Sequence, residues 1–177
     1  MDQVHIEAPV LDVRAASVER EFYSDFPLVL NYVARLVDDI DGAAAITCAA
    51  FRQVADGLRH HSSGDAALRR ADVFRTATEL SRSALRPRRW FRRQRAAQVS
   101  LEDFPQSDAR RALRRDTVQR ALTALPFDAR VVVLLRDFVK LSYDEVADVV
   151  DVAPRKLVHA LDRSRAELGE IYDYIKF

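Results

Sequence analysis

Apolar residues recur every three or four positions along most of this chain, the period of one buried helix face. From Phe22 to Val37 the positions are Phe22, Phe26, Val29, Val33, Leu36 and Val37. Asp38, Asp39, Asp41 and Gly42 interrupt the pattern, and a second helix then carries Ala43, Ile46, Ala50, Phe51, Val54 and Leu58. The segment from His60 to Asp65 reads as a loop. A third helix follows from about Ala66 to Leu85, with Leu68, Phe74, Ala77, Leu80 and Ala84 on one side, and Pro87 ends or kinks it. Residues 1 to about 17 show no clear period and read as a loose lead-in. Gln98 to Asp108 (QVSLEDFPQSD) is polar, contains Pro105 and lacks a stripe, so it reads as a linker.

Beyond the linker, Ala109 to Leu125 is predicted helical. Pro126 suits the first turn of a helix from Phe127 to Val139, with Val131, Leu134, Leu135 and Phe138 inward. Ser142 with Glu145 three residues on is a capping-box signature. It opens a short helix, Tyr143 to Val150, that presents Val146, Ala147, Val149 and Val150. A break falls at Asp151-Val152-Ala153. Pro154 then starts a long helix to about Tyr172 with the buried stripe Leu157, Leu161, Ser164 and Leu168. A capped short helix, a three-residue turn and a second helix make a helix-turn-helix pattern, in which the small Ala147 allows close approach of the two helices.

Composition narrows the class. The 177 residues allow one domain or two small ones, and 4 Gly and 6 Pro against 49% hydrophobic residues suit packed helices rather than a sandwich or barrel. A net charge of +1 supplies no global attraction to nucleic acid, so any DNA binding must use local patches. The single cysteine, Cys48, rules out a disulfide framework; on its alanine-rich helix it reads as a small packing residue. The start MDQVHIEAPVLD is not a signal peptide, and no apolar run is long enough to span a membrane; the expected location is cytoplasmic. His60 and His61 are adjacent on a loop with no third ligand at a useful spacing, so no metal site and no cofactor is expected. The chain has no Gly-rich phosphate loop and no nucleophile–base set, and it does not read as an enzyme.

Two cationic groupings remain. Arg155, Lys156, His159 and Arg163 share the outer face of the last helix, where they can reach phosphates or guanine edges in a major groove. Arg82, Arg86, Arg88, Arg89, Arg92, Arg93 and Arg95 cluster around Trp90 and Phe91. Cations neutralise phosphates and aromatics stack on unpaired bases, so this cluster suits a nucleic acid; its alternatives are a solvated helix end, or pairing with acidic patches of a regulator or of the second domain.

These motifs resemble a family. Residues 113–168, with ALTALP, VVVLLRDF, LSYDEVADVV and LDRSRAEL in that order, look like the promoter −35-binding domain of extracytoplasmic-function (ECF) sigma factors. Residues 22–95, with FYSDFPLVLNYVARLVDDIDGAA, Phe51 and VFRTATELSRSALRPRRWFRR, resemble the sigma domain that grips polymerase and melts the −10 element. The resemblance implies an all-α chain of two small helical domains joined by a flexible linker. The lead-in would be 1–17, the polymerase and −10 domain 18–95, the linker 96–112 and the helix-turn-helix domain 113–177. It implies core RNA polymerase and promoter duplex DNA as partners, with an anti-sigma factor as a further one. It assigns Arg155, Lys156, His159 and Arg163 to the −35 groove. Arg82, Arg86, Arg88, Arg89 and Trp90 go to the −10 side, and Asp38, Asp39, Asp41 and Phe51 to polymerase. The chain departs from the family pattern at Gly42–Ala50, where alanines replace acidic and Gln residues, and at Glu79, Ser83, Asp151, Val158 and Ala160. Those departures keep two alternatives open: a sigma-like protein-interaction module, and a DNA-binding activator unable to melt promoters.

Overall fold

The computed structural model describes residues 13–60, 69–86 and 106–176. Seven helices form among the described residues, and no strand: α1 (Val13–Val37), α2 (Ile40–His60), α3 (Arg70–Leu85), α4 (Gln106–Ala124), α5 (Phe127–Val133), α6 (Tyr143–Val150) and α7 (Pro154–Lys176). A π-helical turn, Leu134–Phe138, extends α5. α3 starts later than the sequence expectation, at Arg70 rather than about Ala66, and three helices start earlier. α1 begins at Val13, inside the expected lead-in. α2 begins at Ile40 rather than Ala43. α4 begins at Gln106, so the last residues of the expected linker 96–112 are helical. In each case the early turns carry no apolar stripe, and a helix start is set by caps and chain continuity as much as by periodicity.

The stop between α1 and α2 shows this locally. Asp38 takes a left-handed backbone (φ 55) and its N–H bonds the Ala34 carbonyl at 2.9 Å, closing α1. Asp39 then caps α2, its carboxylate accepting the Gly42 N–H at 3.2 Å. A Cβ at Gly42 would lie 2.7 Å from that carboxylate, so glycine keeps the cap open.

α1, α2 and α3 pack into one helical unit around Val29, Tyr32, Val33, Leu36, Ala50, Phe51 and Phe74. Its buried hydroxyls are satisfied: Tyr32 shares a 2.7 Å hydrogen bond with Thr78, and Thr47, Thr78 and Ser81 bond carbonyls one turn back. The Arg70 guanidinium forks onto the nearly buried Asp25 carboxylate at 2.5 and 3.1 Å, tying the start of α3 to α1.

α4 to α7 make the second unit, with Leu122, Leu125, Val131, Leu135, Leu141, Val146, Leu157 and Leu161 inside. The two units rest against one another and their apolar interiors join in one cluster. Arg130 stands at the joint. It is 7% exposed and donates to three carbonyls, Leu36 at the end of α1 (2.6 Å) and Thr123 and Leu125 at the end of α4 (2.7 and 3.1 Å). Helix ends leave carbonyls unpaired and carry negative dipole, so one guanidinium serves two of them. Its Nε has no partner, and burial pulls its pKa down, opposed by the charge of Asp38. No described helix is long and apolar enough to cross a membrane.

Candidate nucleic-acid interface

The helix-turn-helix is built by two terminators and one cap. The π turn ends with Lys140 at φ 68 and the Leu141 N–H on the Leu135 carbonyl at 3.1 Å, which buries Leu141. Ser142 then caps α6. Its hydroxyl accepts the Glu145 N–H (3.2 Å), and the Glu145 carboxylate accepts the Ser142 N–H (2.7 Å). Those bonds, the backbone one first, hold the Glu145 carboxyl below its ordinary range. At the other end of α6, Asp151 adopts the left-handed conformation (φ 52, ψ 48) and the Val152 N–H reaches the Ala147 carbonyl at 3.2 Å. This is a Schellman closure, with aspartate in the position glycine favours. Ala147 is buried under the turn, as its size suggested.

α7 leaves this turn with its stripe fixed in the core: Leu157, Leu161 and Ser164 are buried, and Leu168 packs at the edge. Its angle is further set by Arg165, whose guanidinium forks onto Asp137 at 2.5 and 2.9 Å. The bond from Arg165 is the main cause of a lowered Asp137 pKa, and it raises that of Arg165 in return. Arg136 donates to the Leu141 carbonyl (2.7 Å) and stacks on Tyr143, bracing the start of α6.

With the stripe inward, Arg155, Lys156, His159 and Arg163 are all exposed on the opposite side of α7. They span about 12 Å of helix, at 1.5 Å per residue. Val158, 41% exposed, and Asp162 lie beside them. The expected cationic ridge therefore exists as a surface.

The residues assigned to the other end of a promoter are divided. Arg82 reaches across to α5, pairing with Asp128 at 2.5 Å and stacking 4.5 Å above the Phe127 ring. Of the alternatives weighed for the arginine cluster, pairing with the second domain holds for this residue. Arg86 is exposed at the end of α3, while Arg88, Arg89 and Trp90 fall outside the described residues. Asp38 and Asp41 are exposed, and Asp39 is half-buried in its cap. Phe51 corrects an expectation: it is 5% exposed, with its ring 4.9 Å from Phe22 and 6.0 Å from Phe26, so it is a core residue and presents no surface to polymerase. Cys48 differs too; it is exposed rather than packed. The residues that sequence reasoning missed are those joining the units, namely Arg75, Asp128, Arg130 and Asp148. Of these only Arg130 left a signal, a cation one turn before Leu134 on the inward side of a helix.

Residues 115–168, which hold α6, the turn and most of α7, match the family described as Sigma-70, region 4. The chain is also 26% identical, over 84% of its length and 86% of the relative's, to RNA polymerase sigma factor YlaC of Bacillus subtilis (strain 168). Over residues 115–168 the chain thus resembles region 4 of the sigma-70 family. Two solved structures share the fold of this chain. One is CnrH in complex with the cytosolic domain of CnrY, with TM-score 0.67, 18% identity and 90% of each chain covered. The other is the sigma factor RpoE in complex with the anti-sigma factor NepR from Bartonella quintana, with TM-score 0.66, 16% identity and 88% and 96% covered.

Proposed function

We propose that this chain is an RNA polymerase sigma factor of the ECF type, which binds core polymerase and directs promoter recognition and initiation. The observation that carries the reading is the exposed ridge Arg155, Lys156, His159 and Arg163, standing on a capped helix-turn-helix within the residues that match region 4. α7 enters the −35 major groove, where Arg and Lys hold phosphates and a subset reads base edges. Arg86 and the arginines after it serve the −10 side, with Trp90 stacking on an unpaired base. Asp38 and Asp41, exposed where α1 turns into α2, face polymerase. The chain makes and breaks no bonds itself; polymerase supplies the chemistry, and the work is done in the cytoplasm. A protein regulator of the anti-sigma kind is a further partner, a reading supported by the neighbour solved with NepR.

The deciding experiment is co-purification with core polymerase followed by transcription from genomic DNA, with discrete start sites expected. A second reading, a protein-interaction module, draws on the uncharged exposed face of α2 at Ala44, Ala45 and Cys48. Stable binding to a protein partner without any initiation would select it.

A further inference from the structure

Two residues on the exposed side of α7 add nothing to its attraction for phosphate. Val158, one turn beyond Arg155, is an apolar side chain left 41% exposed. Asp162, one turn further, keeps 67% of its side chain accessible and sets a carboxylate next to Arg163. Neither holds the fold. The packing of α7 rests on Leu157, Leu161 and Ser164, which are buried. Asp162 lies 4.0 Å from Arg165, but that guanidinium is committed to Asp137 at 2.5 and 2.9 Å, so the longer pair is weak. Four residues apart, Val158 and Asp162 share one face of the helix and are separated by about 6 Å along its axis. Against phosphates alone an apolar group is idle and a carboxylate is unfavourable. Both become useful only against the edges of bases.

We infer that Val158 and Asp162 choose the sequence: Val158 packs on the 5-methyl group of a thymine, and Asp162 accepts from the N4 amino group of a cytosine one or two base pairs away. The inference rests on the reading of α7 as the duplex-facing helix. In the major groove the thymine methyl is the apolar group on offer, and it suits a small exposed aliphatic side chain. Cytosine presents an amino donor there, whereas guanine presents N7 and O6, two acceptors that repel a carboxylate. Adenine sets its N7 acceptor beside its amino group, so it suits Asp162 less well than cytosine. A recognition helix meets base edges with its N-terminal residues, and Val158 and Asp162 lie in the second and third turns of α7. Their separation of about 6 Å spans one or two steps of about 3.4 Å along a strand. Arg155, Lys156 and Arg163 supply the attraction to the duplex, which is blind to sequence. The two residues among them supply the preference.

The test starts with the full chain, alone and bound to core RNA polymerase. Each form selects from duplexes that carry a randomised window of about ten base pairs, one helical turn. The retained duplexes are expected to hold a thymine and a cytosine at fixed positions, one or two steps apart. Replacing that thymine by uracil removes the methyl group alone, and binding should fall about fourfold, the ordinary weight of one buried methyl. Val158→Ser should bind the two duplexes alike. Exchanging the cytosine for guanine should weaken binding about tenfold. Asp162→Asn should cut that ratio below about threefold, and should bind a mixed-sequence duplex more tightly because one carboxylate no longer opposes phosphate. Both positions are exposed, so the variants keep the fold, and circular dichroism checks it. A selected site without this thymine and cytosine would overturn the inference. So would a Val158→Ser chain that still prefers thymine to uracil, or an Asp162→Asn chain that binds every duplex more tightly with its cytosine preference intact. Each of these results leaves α7 in the groove. Enrichment of no sequence by either form would overturn the reading of α7, and the inference with it.

Discussion

At the scale of single residues, position on α7 separates cations exposed to solvent from those that hold the fold. Arg163 is exposed with no ion pair among the described residues, whereas Arg165, two positions on, is forked onto Asp137. Replacing Arg163 by Ala should weaken duplex binding several-fold and lower the salt slope by about one, as loss of one phosphate contact does. Filter binding across a salt series reads both quantities, and an unchanged slope would remove Arg163 from the interface. Arg130 works the other way. Three carbonyls at two helix ends depend on it, and Arg130→Ala should cost about 2–4 kcal/mol in urea unfolding by leaving them unpaired. A loss below about 0.5 kcal/mol, the size of an ordinary surface change, would show that the joint does not rest on it.

At the scale of elements, what the sequence disclosed and what it withheld follow one physical line. Helices with a continuous apolar stripe were legible: the core face of α1 from Phe22, the inward residues of α5, and the stripe of α7 are all where the period put them. So was α6, because its signals are local. Ser142 and Glu145 bond each other across three residues, and Asp151 needs only its own left-handed backbone. Turns without a stripe, such as the start of α1 and of α4, left no pattern to read. The π turn at Leu134–Phe138 was hidden too, since a single wider loop of backbone barely disturbs side-chain spacing. The local signals predict local costs. Ser142→Ala removes the side-chain half of the capping box and should destabilise the chain by about 1 kcal/mol. Asp151→Gly relieves a left-handed aspartate and should raise the melting temperature slightly. A Tm that falls on Asp151→Gly would mean that the aspartate side chain contributes more than its backbone costs.

For the molecule as a whole, the ridge was legible and the docking of the units was not. Amphipathic periodicity assigns a residue to inside or outside of its own helix; it does not say which distant surface an outside residue meets. Arg82 reads as part of a cluster suited to nucleic acid until Asp128, 46 residues away, is seen beside it. The same contacts shape the response to acid. Most bonds across the joint end on backbone carbonyls, those of Leu36, Arg35 and Asp148, which do not titrate in this range. Among the described residues the carboxyls with lowered pKa are Asp137, in the π turn before α6 and paired with α7, and Glu145, in the cap of α6. A carboxyl whose folded pKa is depressed adds stability that is present above its unfolded value of about 4 and is lost as pH falls through the folded one. Stability should therefore hold steady down to about pH 5 and drop below about pH 4. Amide exchange should show α6 and the start of α7 losing protection first, while α1 and α3 stay closed. The double variant Asp137→Asn, Glu145→Gln should be less stable at pH 7 and fall less steeply in acid. An acid slope equal to that of the unmodified chain would place the responsible carboxylates elsewhere.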